Sequence, residues 1–267
     1  MKNLILLFTV TAFMAACTTN AVTGRKQLSL VPEEQLQADA VEQYQSFLSQ
    51  SKVVSSSNNR DAEMVKRVGS RIANAITSYY GSQGKTDVLS GYKWEFNLVD
   101  SKDANAWCMP GGKVVVYSGL LPITQNEAAL AVVLGHEITH AVAKHSNEAI
   151  SKQYLLQGLG GVGGALIGNP QKASIFNNVY GLGSGVVGLK NSRNSEYEAD
   201  HFGLLFSAMA GYNPQEAIPF WNRMASAAAN SQKPPEFLSS HPSDANRISR
   251  LQGYMPEALS YYKPIKK

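Results

Sequence analysis

Across residues 125–151, Ala128, Ala129, Val132, Val133 and Val142 recur with His136 and His140 at the i, i+3, i+4, i+7 spacing of one helix face. The pattern predicts a single long helix over that range. Glu127 in its first turn and Lys144 toward its later turns suit the helix dipole. Gly135 lowers helix propensity directly before His136, which predicts close approach of another backbone there. Upstream, residues 32–50 read as an amphipathic helix, 51–59 as a polar linker rich in Ser and Asn, and 60–80 as a second helix. Residues 92–99 alternate as a strand, and 105–120 read as two short strands turned by Pro110-Gly111-Gly112. Another helix is expected to open at Ser192 and to continue through Phe202, Leu205 and Phe206. The sum is an α+β architecture, mainly α, with a small antiparallel sheet or hairpin. Residues 58–262 are long enough to bury one sizeable core, so they are expected to form a single domain ahead of a basic tail at 263–267.

Residues 155–189 break the periodic pattern with ten glycines in two apolar halves separated by 169–172. Neither half is long enough to span a membrane, so small-residue helix packing is expected there, with a mobile cover over a cleft as the functional alternative. At the other end, Lys2 precedes an apolar run over 4–16 that fits a secretory signal peptide, residues 1–16. Ala15-Ala16-Cys17 then resembles a bacterial lipobox, which makes Cys17 a candidate lipidation site. On that reading residues 17–57 hold the lipidated start, a tether over 18–31 and the first helix. The chain sits on the cell envelope through lipid, with the outer membrane facing the periplasm favoured because Thr18 is not Asp.

Charge changes this picture little. Without residues 1–16, Lys and Arg fall from 24 to 23 against 20 acids, and no basic cluster is interleaved with aromatics, so no nucleic-acid partner is expected. Arg25 and Lys26 are candidates for assisting contact with an anionic membrane. With Cys17 lipidated, Cys108 is left as the sole thiol and no intramolecular disulfide forms; it is expected to be a small strand hydrophobe.

The chemistry is concentrated in His136-Glu137-Ile138-Thr139-His140. Positions i and i+4 of a helix stand about 40° apart around its axis, so both imidazoles can face one zinc ion with Glu137 beside them as a general base. A catalytic zinc needs a third protein ligand. Ala143 and Ser146 stand where an extended HExxHxxGxxH site needs Gly and His, and His145 is out of phase with the pair and is expected to be structural. The better source is 192–200, where Glu196 and Asp200 share a helix face and Glu198 points roughly the other way. One of the two facing carboxylates can bind metal and the other can fix an imidazole tautomer; spacing alone does not say which.

HExxH followed by Ser192-Arg193-x-x-Glu196-x-x-Ala199-Asp200 resembles the gluzincin-type zinc metallopeptidases that include HtpX, the CAAX prenyl endopeptidases, the mitochondrial Oma-type peptidases and bacterial lipoprotein peptidases such as LoiP. The resemblance spans roughly residues 60–254 and implies a zincin-like domain with one zinc per chain. It makes His136, His140 and Glu196 the metal ligands and places Asp200 behind them. It also covers Asn105-Ala106-Trp107 with Pro110-Gly111-Gly112, where Asn105 and Ala106 become candidate substrate-binding residues and a peptide is expected to add as a strand along 105–117. His241-Pro242 with Arg247-Ile248 is the third match, and His241 or Arg247 is a candidate to steady the oxyanion. The expected activity is endoproteolysis of misfolded or mis-assembled envelope proteins. The competing class, a lipid-anchored periplasmic chaperone or assembly factor with a structural zinc, has no use for the base Glu137.

Overall fold

The computed structural model describes residues 17–156, 170–180, 191–230, 234–241 and 246–265. The signal peptide expected at 1–16, most of the glycine-rich segment read as packing or cover, and residues 242–245 lie outside the described residues. In chain order the elements are β1 (Cys17–Thr19), β2 (Lys26–Leu28), α1 (Glu33–Ser49), β3 (Val53–Val54), α2 (Arg60–Ser82), β4 (Glu95–Val99), β5 (Ala106–Met109), β6 (Lys113–Tyr117), α3 (Glu127–Val142), α4 (His145–Leu156), α5 (Pro170–Tyr180), α6 (Arg193–Met209), α7 (Ala217–Ala229) and α8 (Arg247–Tyr261). Single helical turns cover Leu121–Thr124 and Phe237–Ser240. No helix among the described residues is long and apolar enough to cross a membrane.

The sheet has the order β3-β4-β6-β5. Its β5–β6 pair is the expected antiparallel hairpin, while β4 and β6 run parallel. Gly111 and Gly112 have φ of 77° and 83°, a backbone that residues with a Cβ rarely adopt, which is why the hairpin turns there. Side chains of β5 and β6 alternate between two cores. Ala106, Cys108, Val114 and Val116 join the main core with α2 and α3; Trp107, Met109 and Val115 face a second core with Leu36, Ala40 and Tyr44 of α1. Helix α2 is amphipathic, with Val65, Val68, Ile72 and Ile76 fully buried and Asn59 accepting from the N–H groups of Asp61 and Ala62 at its start.

Helix α3 departs from the sequence pattern in two ways. Every residue from Ala129 to Val142 is buried, so the helix has no solvent face. It also ends at Val142, well short of the expected 151, because Lys144 adopts the left-handed φ of 54° and the chain restarts as α4. Neither Gly nor Pro marks the break. A distant partner does: Asn20 Nδ2 donates to Ala143 O at 2.6 Å and satisfies a carbonyl that the continued helix would have used.

That partner belongs to the segment expected to be a tether. Residues 17–31 instead form the β1–β2 hairpin and a following strap against the α3–α4 junction. Leu30 N–H donates to Ser151 Oγ at 2.8 Å, Asn147 Nδ2 donates to Val31 O at 2.9 Å, and Arg25 pairs with Glu148 and Glu198 at 2.6 Å each. Arg25 is thus engaged within the protein rather than free for an anionic membrane.

Helices α3 and α6 pack closely against each other. A Cβ on Gly135 would lie 2.4 Å from Gly203 O, and one on Gly203 would lie 2.7 Å from His136 N, so the two backbones touch where the sequence predicted an approach at Gly135. Ser207 Oγ donates across this contact to Ala131 O at 2.7 Å.

Candidate metal centre

The α3–α6 contact brings the chemistry of both helices to one point. From α3, His136 and His140 bring their Nε2 atoms to 3.0 Å of each other. From α6, whose first turn is capped by Ser192 Oγ accepting from the Ser195 N–H, Glu196 sends its two oxygens to within 3.4 Å of His136 Nε2 and 3.3 Å of His140 Nε2. His241 follows the turn Phe237–Ser240, stacks on Phe237, and places Nδ1 3.0 Å from Glu196 Oε1 and 3.2 Å from His136 Nε2. All four groups are buried, and their donor atoms lie within 4.8 Å of one another. Glu137 stands on the far side of His241, with Oε1 3.4 Å from His241 Nε2.

Behind this cluster, Asp200 Oδ1 accepts from His136 Nδ1 at 3.0 Å and from Arg247 Nη2 at 2.6 Å. Arg247 is 2% exposed, with its guanidinium 3.5 Å from the centre of the Trp221 ring. Arg247, the alternative to His241 for the oxyanion, sits behind the histidines, where it holds Asp200, and does not line the cleft. His145 is buried and takes part in the site from outside, with Nδ1 2.9 Å from His140 Nδ1 and Nε2 2.9 Å from Glu198 Oε2. Glu198 does point away from Glu196 as expected, but toward His145 and Arg25.

The donor set fits zinc on its chemistry and its spacing. Ligand atoms about 2.0–2.2 Å from a tetrahedral ion stand roughly 3.3–3.6 Å apart, close to the 3.0–3.4 Å seen among the imidazole and Glu196 atoms. Buried Glu196 Oε2, Asp200 Oδ2 and Glu137 Oε1 accept no hydrogen bond, which is costly for carboxylates unless a cation or a reacting group completes them. Burial alone would raise the Glu196 carboxyl, but the His241 and His136 imidazoles outweigh it and hold the group well below the usual range. Burial drives His140 well below the ordinary histidine value and keeps the ring neutral, as a metal ligand must be. On His136 burial is outweighed by Glu196 and Asp200, which raise it to about 9. Glu137 is pushed up by burial, which favours a carboxylate that takes and returns a proton.

A cleft opens onto Glu137, His140 and His241 and is lined by Asn105 to Cys108 and by Tyr180, Asn191 and Glu236. Strand β5 is the sheet edge. The Tyr117 N–H donates to Asn105 O at 3.0 Å, so in the β5–β6 register the backbone groups of Ala106 and Cys108 turn to the free edge. Asn105 Oδ1 already accepts the Ala106 N–H at 2.9 Å. The expected docking range of 105–117 therefore shrinks to β5, because β6 is paired on both sides and Val115 and Val116 offer nothing to a peptide. Cys108 is buried with its thiol pushed well up by burial, in keeping with a strand hydrophobe. Tyr180, Asn191 and Glu236 carried no sequence signal, since none belongs to a periodic face or a spaced motif. The chain of His145, Glu198 and Arg25 was visible only as isolated polar residues.

Comparison with known proteins agrees with this geometry. The family model described as peptidase family M48 matches residues 59–255. The chain is 37% identical over 182 residues to the mitochondrial metalloendopeptidase OMA1 of Saccharomyces cerevisiae, covering 66% of this chain and 51% of that protein. It is 29% identical over 274 residues to the mitochondrial metalloendopeptidase OMA1 of Homo sapiens, covering 95% and 48%. It is 30% identical over 185 residues to the beta-barrel assembly-enhancing protease of Escherichia coli, covering 65% and 38%. The chain spans about half the length of these relatives or less.

Proposed function

Because the chain belongs to peptidase family M48, whose members use zinc, we propose that it is a zinc-dependent endopeptidase with one ion per chain, held by His136, His140 and Glu196. The observation that carries this reading is the buried convergence of two imidazole Nε2 atoms and a carboxylate beside Glu137, whose Oε1 accepts no hydrogen bond. Zinc bound there supplies a Lewis acid that acidifies water and polarises a peptide carbonyl. The protein's own groups do the rest. Glu137 accepts the proton of the attacking water and passes it to the leaving amine nitrogen, so that the peptide bond breaks with one water consumed. His241, next to Glu137, donates to the oxyanion that forms on the carbonyl. Asp200, anchored by Arg247, holds His136 with Nε2 toward the ion. Asn105 and Ala106 on the β5 edge take the substrate backbone, which gives affinity for extended protein with little demand on its sequence.

The substrates are misfolded or mis-assembled proteins of the cell envelope, reached by an enzyme anchored through lipid on Cys17 to the outer membrane. Support comes from Ala15-Ala16-Cys17 after an apolar run, from the exposed Cys17, and from similarity to a protease named for β-barrel assembly. Mass spectrometry of the N-terminal peptide tests the anchor, and an unmodified Cys17 removes it. Unfolded casein incubated with and without a zinc chelator tests the activity. Glu137→Gln should keep about one zinc per chain while turnover falls about 100-fold to 10,000-fold. Glu196→Gln should lose the metal. Wild-type cleavage by Glu137→Gln rejects the mechanism, and full zinc in Glu196→Gln rejects the ligand assignment.

A further inference from the structure

The hydrogen-bonded chain behind His140 has no part in the mechanism above. His140 Nδ1 meets His145 Nδ1 at 2.9 Å, His145 Nε2 meets Glu198 Oε2 at 2.9 Å, and Arg25 Nε meets Glu198 Oε1 at 2.6 Å. Arg25 also spans Glu148, with Nη2 to Oε2 at 2.6 Å. The side chain of His145 is 1% exposed, so water does not compete for either of its nitrogens.

The proton positions along this chain follow from what each group can do. Glu198, paired with a guanidinium, only accepts. With its proton on Nε2, His145 donates to Glu198, which leaves a lone pair on Nδ1. Two imidazole nitrogens that face each other at hydrogen-bond distance share one proton, so His140 must donate from Nδ1. Its own lone pair is then on Nε2, the atom turned toward His136 Nε2 and Glu196. The opposite tautomer of His140 would aim an N–H at the cluster and could bind no ion.

We propose that Arg25, Glu198 and His145 form a relay of positioning residues that fixes the tautomer and ring orientation of His140. The β1–β2 hairpin is thereby a working part of the metal centre. His136 receives the same service from Asp200 and Arg247. Each metal-facing histidine is thus locked through its Nδ1, and each lock ends in an arginine. Arg25 comes from a stretch more than a hundred residues before the helix it serves, and Asn20 of the same hairpin caps the α3–α4 break that lets His145 reach His140.

The inference rests on His140 being a zinc ligand, and the experiment separates the two claims. Zinc affinity is measured by competition with a chromophoric chelator, ligand geometry by the visible bands of the Co2+-substituted full chain, and folding by circular dichroism melts of the metal-free proteins. His145→Phe and Arg25→Ala should each weaken zinc binding about 10-fold to 100-fold and displace the cobalt bands. The double variant should be close to His145→Phe alone, because both changes cut one chain. His145→Gln, whose amide can accept from His140 and donate to Glu198, should recover much of the affinity. Wild-type zinc affinity and unshifted cobalt bands in folded His145→Phe overturn the relay, and so does a strictly additive double variant. If Arg25→Ala does not fold, Glu198→Gln tests the same link under the same criteria. His140→Ala holding zinc at wild-type affinity overturns the ligand reading and the relay with it; His140→Ala losing zinc while His145→Phe retains it overturns the relay alone.

Discussion

Replacing Gly203 by Ala tests whether the distance between two helices sets the metal site. The added Cβ would lie 2.7 Å from His136 N, 2.8 Å from Gly135 C and 2.9 Å from Gly135 O. All three are backbone atoms of α3, so no side chain can rotate out of the way. Since carbon contacts become comfortable near 3.5 Å, α6 must withdraw by about 0.6–0.8 Å. Glu196 and Asp200 lie on the two turns of α6 before Gly203 and move with it. Overpacking of this kind costs about 1–3 kcal/mol of stability. A shift of more than half an ångström also exceeds the roughly 0.2 Å tolerance of metal–ligand bonds, so zinc affinity should fall by at least about 10-fold. The assay is a chelator competition together with a thermal melt, with Gly253→Ala as the matched control. That residue has open space where its Cβ would go, and Ala there should stabilise α8 by about 0.5–1 kcal/mol. A Gly203→Ala protein that matches the control in both measurements would falsify the claim that this contact sets the site.

Asp200→Asn should keep the fold but weaken zinc binding about 10-fold to 100-fold, because an amide oxygen accepts from His136 Nδ1 and Arg247 Nη2 without the charge of a carboxylate; undiminished affinity in the same competition assay sinks that role. Cys108 should resist iodoacetamide in the native protein at pH 8 and react at once in denaturant, and rapid native labelling would show that its burial is overstated. The hairpin should open in acid. Burial would raise Glu148 and Glu198, but Arg25, with Lys152 on Glu148 and His145 on Glu198, outweighs it and holds both below the ordinary value. Their stabilising contribution is therefore complete above the unfolded pKa of about 4.3 and is lost as pH falls through the lower folded values. Hydrogen exchange over residues 20–31 should accelerate in that window, and protection unchanged to pH 2 contradicts the sign.

The readable parts of the chain were those whose physics is local. Helix α1 was expected over 32–50 and α2 over 60–80, and both formed within a turn of those bounds because each has one apolar face and one polar face. The hairpin was legible because Gly111 and Gly112 supply a backbone that few residues tolerate. Glu196 and Asp200 reach the histidines because the i, i+4 spacing on α6 mirrors that on α3. The break after Val142 was hidden, since Ala143 and Lys144 are good helix formers and the force that stops the helix comes from Asn20, far away in sequence. The β1–β2 hairpin escaped notice because three-residue strands leave no period to detect. The choice between His241 and Arg247 stayed open for a related reason: the motif shows which residues converge, but not on which side of the imidazoles each one stands.

The all-round burial of α3 has a consequence for the order of assembly. In a small zinc finger the metal drives folding, because without it too little core remains. Here the helix that carries both histidines is the centre of the main core, where its apolar residues from Ala129 to Val142 pack on neighbours that need no ion. The scaffold can therefore form first, and the ion arrives afterwards through the cleft. Stripping the ion should leave a folded and inactive chain rather than an unfolded one. The amide protons of residues 129–142 should then be the last to exchange whether or not zinc is present.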